Sequence, residues 1–188
     1  MNQPNAVQLL EGIHPGFFAQ ASIRKIPKDR IFEEMLLPLR EFDGEAFSLP
    51  VPEGVSFGFY AGPREELLKA VERVGPGWVP LFKPGERVYC GMCRGQIASF
   101  CLLEDMGTHL LDGHRVRVAG PGCVGTVPAF RRQGIGLRMV RDATAVLRQE
   151  GYDISYIHFT GVANWYAKLG YCTCLRWTSE GPLPEKEK

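Results

Sequence analysis

The segment Val127–Val140, VPAFRRQGIGLRMV, places Arg131, Gly134 and Gly136 in an R-x-x-G-x-G pattern at the start of a helical pattern. Glycines let a backbone approach a ligand closely, and the amides at a helix N-terminus attract anions. The segment lacks the Lys-Ser or Lys-Thr of a Walker A loop, and Met139 stands where a dinucleotide fingerprint needs a third glycine. These residues indicate a phosphate-binding turn that suits a pyrophosphate, with a solvated basic turn as the alternative.

A second chemical motif is the C-x-x-C of Cys90 and Cys93, which is half of a zinc ribbon. A structural zinc site needs four ligands, and neither a second C-x-x-C nor paired histidines follow at a suitable spacing. Cys172 and Cys174 share one face of a predicted strand and would complete the site only if the fold brought them close. Buried free thiols are the better interpretation, so we expect no metal.

The elements that must position these motifs alternate along residues 53–180. Hydrophobic periodicity, prolines and glycines predict the order β-α-β-β-β-α-β-α-β. The predicted strands are 55–60, 87–93, 96–104, 115–127, 154–159 and 171–178, and the predicted helices are 63–74, 133–151 and 162–170. Arg94-Gly95 is predicted to be a two-residue hairpin turn, and 105–114 a loop. This order predicts an α/β or α+β fold with a mixed sheet and helices on its faces.

Residues 1–52 differ in sequence pattern from the rest of the chain and are predicted to form an N-terminal extension. Residues 181–188 are predicted to form a C-terminal tail. The apolar residues of Ile31–Leu39 recur at helical spacing, cut by Pro38, and predict a helix. The prolines and glycine of 48–54, SLPVPEG, predict a linker. The extension is interpreted as a lid, a dimer arm or a cover for the core, and core cover is favoured.

The overall charge excludes some partners. The chain of 188 residues carries 22 basic and 21 acidic side chains, a net charge of +1, which argues against a nucleic-acid partner. The N-terminal sequence has no basic region followed by an apolar one, and no apolar run approaches the ~20 residues of a membrane span. We therefore expect a cytoplasmic protein with no membrane partner.

The phosphate-binding turn, together with CVGTVPAF before it and NWYAKLGY after it, resembles the GNAT superfamily of N-acetyltransferases over roughly residues 55–178. The resemblance implies a mostly antiparallel sheet whose fourth and fifth strands splay apart, and acetyl-CoA as the acyl donor. It also implies a bulge in AGPGCVGTV, whose free backbone groups pair with the pantetheine arm.

By this resemblance the residues that bind acetyl-CoA are Thr126, Val127, Arg131, Arg132, Gln133, Gly134, Ile135, Gly136 and Thr160. Thr126 and Val127 would face the pantetheine, and the residues from Arg131 to Gly136 would hold the pyrophosphate. Thr160 would replace an asparagine that often opens the family's tyrosine helix.

The resemblance also assigns the chemistry of acetyl transfer. Tyr166 matches the family's catalytic tyrosine, and its phenol, with a pKa of ~10, suits protonation of a thiolate whose pKa is ~8.5. A backbone amide near Val127 would polarise the thioester carbonyl. Many relatives carry a glutamate base on the fourth strand, but Ala119–Gly122 contains no carboxylate. His158 is the candidate base, with Glu104, Asp105 or a chain of water molecules as alternatives.

The resulting hypothesis is transfer of an acetyl group from acetyl-CoA to a primary amine of a small molecule or peptide, by direct attack in a ternary complex. One alternative is a catalytically silent CoA-binding or regulatory module on the same fold. Another is a zinc-dependent interaction domain built on Cys90 and Cys93. A homodimer is left open.

Overall fold

The computed structural model describes residues 3–47, 49–111 and 113–184 of the chain. Its eight strands are β1 Phe32–Pro38, β2 Val55–Phe59, β3 Val88–Cys93, β4 Gln96–Leu111, β5 His114–Thr126, β6 Ile154–Thr160, β7 Cys172–Thr178 and β8 Gly181–Pro182. Its helices are α1 Gln3–Ile13, α2 Ala21–Arg24, α3 Arg64–Glu72, α4 Ile135–Gln149 and α5 Ala163–Tyr166. Short 3-10 helices span Phe17–Ala19, Leu39–Glu41, Gly44–Ala46, Pro76–Leu81, Pro128–Phe130 and Ala167–Leu169.

The described strands form one sheet in the order β2-β3-β4-β5-β6-β1-β7-β8. Every neighbouring pair is antiparallel except β5 and β6. This confirms the predicted mixed, mostly antiparallel sheet. The parallel pairing of β5 and β6 covers only two residue pairs, Val118 with Ile154 and Ala119 with Ser155. Beyond these pairs β5 and β6 separate. They are the fourth and fifth strands when β1 is left out of the count, so this is the splay that the resemblance implied.

The separation starts at a glycine and continues into a bulge. A Cβ on Gly120 would lie 1.8 Å from the carbonyl oxygen of Tyr156, so only glycine fits where the two strands are closest. Three steps along β5, from Gly122 to Gly125, oppose two steps along β4, and Cys123 has a φ of 46°. The predicted bulge is therefore present, and it lies beyond the point where β5 stops pairing with β6.

Helices cover both faces of the sheet, as predicted, and the alternation along the strands explains how. Met139, Val140 and Leu147 of α4 pack with Cys101 and Leu103 on one face. On the other face, α3 packs on Phe100 and Leu102, and α1 packs on the part of the sheet that contains β1 and β6. Alternate residues of each strand are thus buried in two separate cores, one on each face of the sheet.

Most elements predicted for residues 53–180 are confirmed, including all six strands and the helices α3, α4 and α5. The hairpin between β3 and β4 turns on Arg94 and Gly95, whose positive φ values of 48° and 78° suit a two-residue turn. Gly151 and Gly170 follow α4 and the 3-10 helix after α5, and both have positive φ, as helix-ending glycines do.

The helix predicted at Ile31–Leu39 is wrong, because Phe32–Pro38 forms β1 in the middle of the sheet. A central strand is buried on both faces, so its apolar residues run together and also fit a helical spacing. Glu34 and Leu36 lie on the α1 face, and Met35 and Leu37 lie on the α4 face. A strand from residues 1–52 thus lies within the sheet formed by the strands of 53–180.

The loop predicted at 105–114 is also wrong, since β4 runs to Leu111 and β5 starts at His114. This part of the hairpin is largely exposed, so its sequence carries little of the alternation that marks a half-buried strand. Within the predicted linker and tail, Ser48 and residues 185–188 lie outside the described residues.

Candidate active site

Two cavities meet where β5 separates from β6. The turn cavity, of about 600 Å³, lies against the end of β5, the R-x-x-G-x-G turn, the start of α4 and helix α5. The cleft cavity, of about 560 Å³, is lined by β4, the bulge of β5 and the second half of β6. Val124, Val162 and Tyr166 line both cavities. A molecule in one cavity can therefore reach a molecule in the other beside Tyr166.

The turn between β5 and α4 has a backbone geometry that is suited to binding a ligand. Arg132 and Gly134 both have positive φ, 62° and 77°, and α4 begins directly after Gly134. The first bond of the helical ladder runs from Arg138 N to Gly134 O, 3.0 Å. The amides of Ile135 and Gly136 precede that ladder and have no helical acceptor.

The charge of the turn cavity suits an anion. Arg131, Arg132 and Lys168 contribute to its wall, and the described residues that line it include no carboxylate. The side chains also brace the turn, because Arg131 Nε donates to Thr126 O at 3.1 Å and Gln133 Nε2 donates to Ala129 O at 3.3 Å. Helix N-terminal amides and exposed cations together fit a pyrophosphate.

The structure brings most of the predicted acetyl-CoA residues together in the turn cavity. Its wall includes Thr126, Arg131, Arg132, Gln133, Gly134, Ile135 and Gly136. Thr160 lies instead in the wall of the cleft cavity, where its Oγ1 accepts a hydrogen bond from Val162 N at 3.1 Å.

Val127 is a correction to the sequence-based assignment. Its amide donates to Ala98 O at 2.9 Å, and its side chain is buried in the core beneath α3. The amide of Val127 is therefore not available to a ligand. Cys123 and Val124 are better placed, because both lie within the bulge without register partners on β4, and both line the cleft cavity. A bulge leaves backbone groups outside the ladder.

Tyr166 ends helix α5 and is buried at the junction of the cavities. Its ring packs edge-on against Trp165, 4.9 Å between centroids, and lies 6.0 Å from Tyr171. Burial raises the pKa of the Tyr166 phenol, so the hydroxyl stays protonated at neutral pH. The ring is thus fixed by packing while its hydroxyl remains a proton donor.

His158 lies on β6 in the wall of the cleft cavity. Its Nδ1 lies 2.9 Å from an Oε2 of Glu34, a fully buried carboxylate on the neighbouring strand β1. The His158 side chain is 24 % exposed, and it contributes to the wall of the cleft cavity. A neutral histidine with its proton on Nδ1 would offer a free Nε2 lone pair to the cavity.

A second imidazole stacks on the first. The rings of His14 and His158 are 4.0 Å apart at an interplanar angle of 29°, and His14 also lines the cleft cavity. Burial, and then the charge of His158, lower the pKa of His14 to about 4. His14 is therefore neutral at neutral pH and adds no positive charge beside His158.

The two alternative carboxylate bases differ in position. Glu104 lines the cleft cavity, with a carboxylate oxygen 2.7 Å from the point where a Cβ of Gly122 would lie, and burial raises the pKa of its carboxyl. Asp105 is exposed, is not part of that wall, and accepts a hydrogen bond from Gly107 N at 2.8 Å.

Sequence reasoning missed several residues of these walls. Lys168 and Trp165 line the turn cavity and stand inside the WYAKLGY motif, so the motif itself could have identified them. His14, in the wall of the cleft cavity, gave no such signal, and neither did Glu34, which contacts His158 but is not part of either wall. Both belong to residues 1–52 and reach His158 only through the position of β1 and the end of α1.

The structure also bears on metals and membranes. All six cysteines are free thiols, and Cys90 is fully buried on β3. Within residues 3–47, 49–111 and 113–184, no three histidines, cysteines or carboxylates are grouped as a metal site would require. No helix in the same ranges has the length and apolar character needed to cross a bilayer.

Comparisons with solved structures show the fold. A GCN5-related glucosamine N-acetyltransferase region of a fungal multi-domain GH3 β-N-acetylglucosaminidase matches with a TM-score of 0.63 at 20% identity, over 79% of this chain and 20% of that one. A GCN5-related N-acetyltransferase from Kribbella flavida matches with a TM-score of 0.56 at 18% identity, over 86% of this chain and 62% of that one. A GCN5-related N-acetyltransferase from Sphaerobacter thermophilus matches with a TM-score of 0.58 at 18% identity, over 91% of this chain and 53% of that one.

The chain thus spans between a fifth and about three fifths of the length of these relatives. No curated protein matches it significantly in sequence. The family model described as an acetyltransferase (GNAT) domain matches residues 57–174, which include the turn, the cavity-lining strands β4, β5 and β6, and Tyr166. The chain belongs to the GNAT acetyltransferase family.

Proposed function

We propose that this protein is an N-acetyltransferase that transfers the acetyl group of acetyl-CoA directly to a primary amine in a ternary complex. The observation that carries the proposal is the meeting of two cavities beside Tyr166, one with a cationic anion-binding turn and the other with a hydrogen-bonded histidine. Direct transfer requires donor and acceptor to be held together, and this geometry permits it.

The turn cavity is the proposed donor site. Acetyl-CoA supplies an activated acetyl thioester when it is bound. The amides at the start of α4, together with Arg131, Arg132 and Lys168, would hold its pyrophosphate. Each charge-assisted hydrogen bond is worth about 1.5–3 kcal/mol, so several give micromolar affinity without a metal ion. Thr126 and the bulge at Val124 would line the path of the pantetheine arm.

The cleft cavity is the proposed acceptor site. His158 Nε2 would accept a proton from the amine as the carbon–nitrogen bond forms, so that the bonded nitrogen becomes a neutral amide nitrogen. Backbone groups of the bulge would polarise the thioester carbonyl. Tyr166 would donate its proton to the departing thiolate. Tyr166 lines both cavities, and this position between the proposed donor and acceptor sites supports the role.

The acceptor is proposed to be a small molecule or peptide with a primary amine. Trp78, Leu81 and Phe159 give the cleft cavity an apolar side, and Glu104 gives it one carboxylate. This combination suits an amine carried on an apolar or aromatic body. With a net charge of +1, the protein is proposed to act without a nucleic-acid or membrane partner, in the cytoplasm.

A panel of amines incubated with acetyl-CoA tests the proposal. Products are identified by mass spectrometry, and free CoA thiol is measured against an enzyme-only blank, because the chain has its own six cysteines. We expect acetylated product and CoA in equal amounts for at least one acceptor. If acetyl-CoA raises the melting temperature but no amine is acetylated, the protein is a silent CoA-binding module and the proposal is wrong.

A further inference from the structure

We infer that Glu34, on the N-terminal strand β1, is a positioning residue that holds His158 with its proton on Nδ1 and its Nε2 free to act as the base. The inference rests on the proposed function and gives part of residues 1–52 a place in the reaction. Glu34 lies outside residues 57–174, the segment that matches the family model, so only the contacts of this chain support it.

The carboxylate of Glu34 is fully buried and is surrounded by donors. Trp177 Nε1 donates to Oε1 at 2.8 Å, and Phe159 N donates to the same carboxylate at 3.2 Å and 3.3 Å. An indole N–H and a backbone amide can only donate, and an ionised carboxylate can only accept. With the carboxylate ionised, the contact between His158 Nδ1 and Oε2, 2.9 Å long, requires the proton to be on Nδ1.

Both neighbouring strands are distorted opposite Glu34. Along β6, three steps from Ile157 to Thr160 oppose two steps on β1, which leaves a bulge at His158 and Phe159. Along β7, two steps oppose the single step from Glu34 to Met35. Phe159 also has a positive φ of 56°, which is rare for an aromatic residue. Bulges re-aim side chains, and these two direct donors from both strands at one carboxylate.

The orientation of the His158 ring is fixed from its other sides as well. His14 stacks on it at 4.0 Å, and Phe17 meets it edge-on at 5.1 Å between centroids. Both residues follow α1, so the N-terminal segment supplies the carboxylate and two of the rings that confine His158. A hydrogen bond on one ring nitrogen determines which nitrogen carries the proton, and packing keeps that bond aligned.

The Glu34→Gln variant tests the inference. A glutamine at this position can accept from Trp177 and Phe159 through its oxygen, which leaves its NH₂ group facing His158 Nδ1. An NH₂ group donates, so the imidazole proton moves to Nε2 and the base is lost. Glu33→Gln is the matched control, because it removes the same charge from the adjacent position, where the side chain contacts Thr173 and not His158.

Long-range ¹H–¹⁵N spectra of histidine-labelled protein report the tautomer directly, with His158→Gln used to assign its signals among the four histidines. We expect an Nδ1–H tautomer in the wild type and in Glu33→Gln, and an Nε2–H tautomer in Glu34→Gln. The kcat of Glu34→Gln should fall about 10²-fold or more with little change in KM for acetyl-CoA. The kcat of Glu33→Gln should stay within about threefold of the wild-type kcat, a change well below the effect of losing a base.

An Nε2–H tautomer in the wild-type protein overturns the inference, and it does so even if Glu34→Gln fails to fold. A folded Glu34→Gln with the kcat of an active wild type overturns the inference and leaves the proposed function intact. A wild type that acetylates no amine overturns the proposed function, and the inference with it.

Discussion

At the scale of single residues, Tyr166 and His158 approach one junction from different elements and with different supports. Tyr166 is held by packing in the core, with its ring against Trp165 and near Tyr171. His158 is held by a hydrogen bond to a buried carboxylate and by stacked rings. These supports fit the proposed roles, because an acid needs its proton free to leave and a base needs a defined tautomer.

Tyr166→Phe tests the acid role. The substitution removes only the hydroxyl, so packing and the affinity for acetyl-CoA should change little. We expect kcat to fall about 10²- to 10⁴-fold, the usual value of a positioned acid, because the proton is transferred only as the carbon–sulfur bond breaks.

Single-turnover kinetics measure the kcat of Tyr166→Phe under conditions where chemistry limits the rate. A variant within about threefold of the wild-type kcat, far below the effect of losing a general acid, would remove Tyr166 from the mechanism. A higher KM for acetyl-CoA at unchanged kcat would make it a binding residue.

At the scale of elements, the first two turns of helix α4 organise the proposed donor site. Its first turn supplies the amides beside the turn cavity. Further along, Arg138 and Arg141 donate to the carbonyls of Leu49 and Phe47, at 3.3 Å and 3.0 Å. The predicted linker is thus held against α4, and Pro50 O lies 2.8 Å from the point where a Cβ on Gly134 would be. The turn therefore has space only for glycine at this position.

Gly134→Ala should weaken CoA binding about tenfold or more, which corresponds to about 1.4 kcal/mol or more. The φ of 77° strains an alanine by about 1–2 kcal/mol, and the contact with Pro50 forces the turn or the linker to move. Calorimetric titration with CoA measures the affinity.

Gly85→Ala is the control for that strain, since Gly85 has a φ of 88°, no atom within 4 Å of an added Cβ and no part in either cavity wall. It should lose stability but keep its affinity for CoA. Equal affinities in the two variants would contradict the proposed role of the turn.

At the scale of the whole molecule, the chain builds one sheet from sequence-distant parts. Strand β1 separates β6 from β7 and pairs with both. Its residues Met35, Leu36 and Leu37 are buried in the cores on the two faces. The N-terminal segment thus contributes to the centre of the molecule as well as to the environment of His158.

A chain that starts at residue 53 should therefore fail to unfold cooperatively. Removing β1 leaves β7 without a partner on one edge and exposes both cores, and each large buried apolar side chain is worth about 1.5–3 kcal/mol. Circular dichroism during heating measures the transition, and a chain that ends at residue 184 is the control for truncation as such. A sharp, reversible transition in the 53–188 chain would show that residues 1–52 only cover a core that is stable without them.

The sequence alone determined the features that depend on local spacing. The R-x-x-G-x-G turn, helix α4, the hairpin at Arg94-Gly95 and the tyrosine motif were predictable, because turn chemistry, helix ends and alternation are properties of neighbouring residues. Most of the proposed donor site follows from these elements, since the turn and the start of α4 are contiguous in the chain.

Only the tertiary structure decided the features that depend on distant pairing. The strand at Phe32–Pro38 has a helix-like pattern because it is buried on both faces, and burial of a central strand is set by its neighbours. The amide of Val127 is used by Ala98, a contact that spacing does not reveal. Glu34 is 124 positions from His158 in the chain, and their hydrogen bond exists because β1 inserts beside β6. The local sequence determines which side chains each element carries, and the pairing of distant strands determines which of those side chains come into contact.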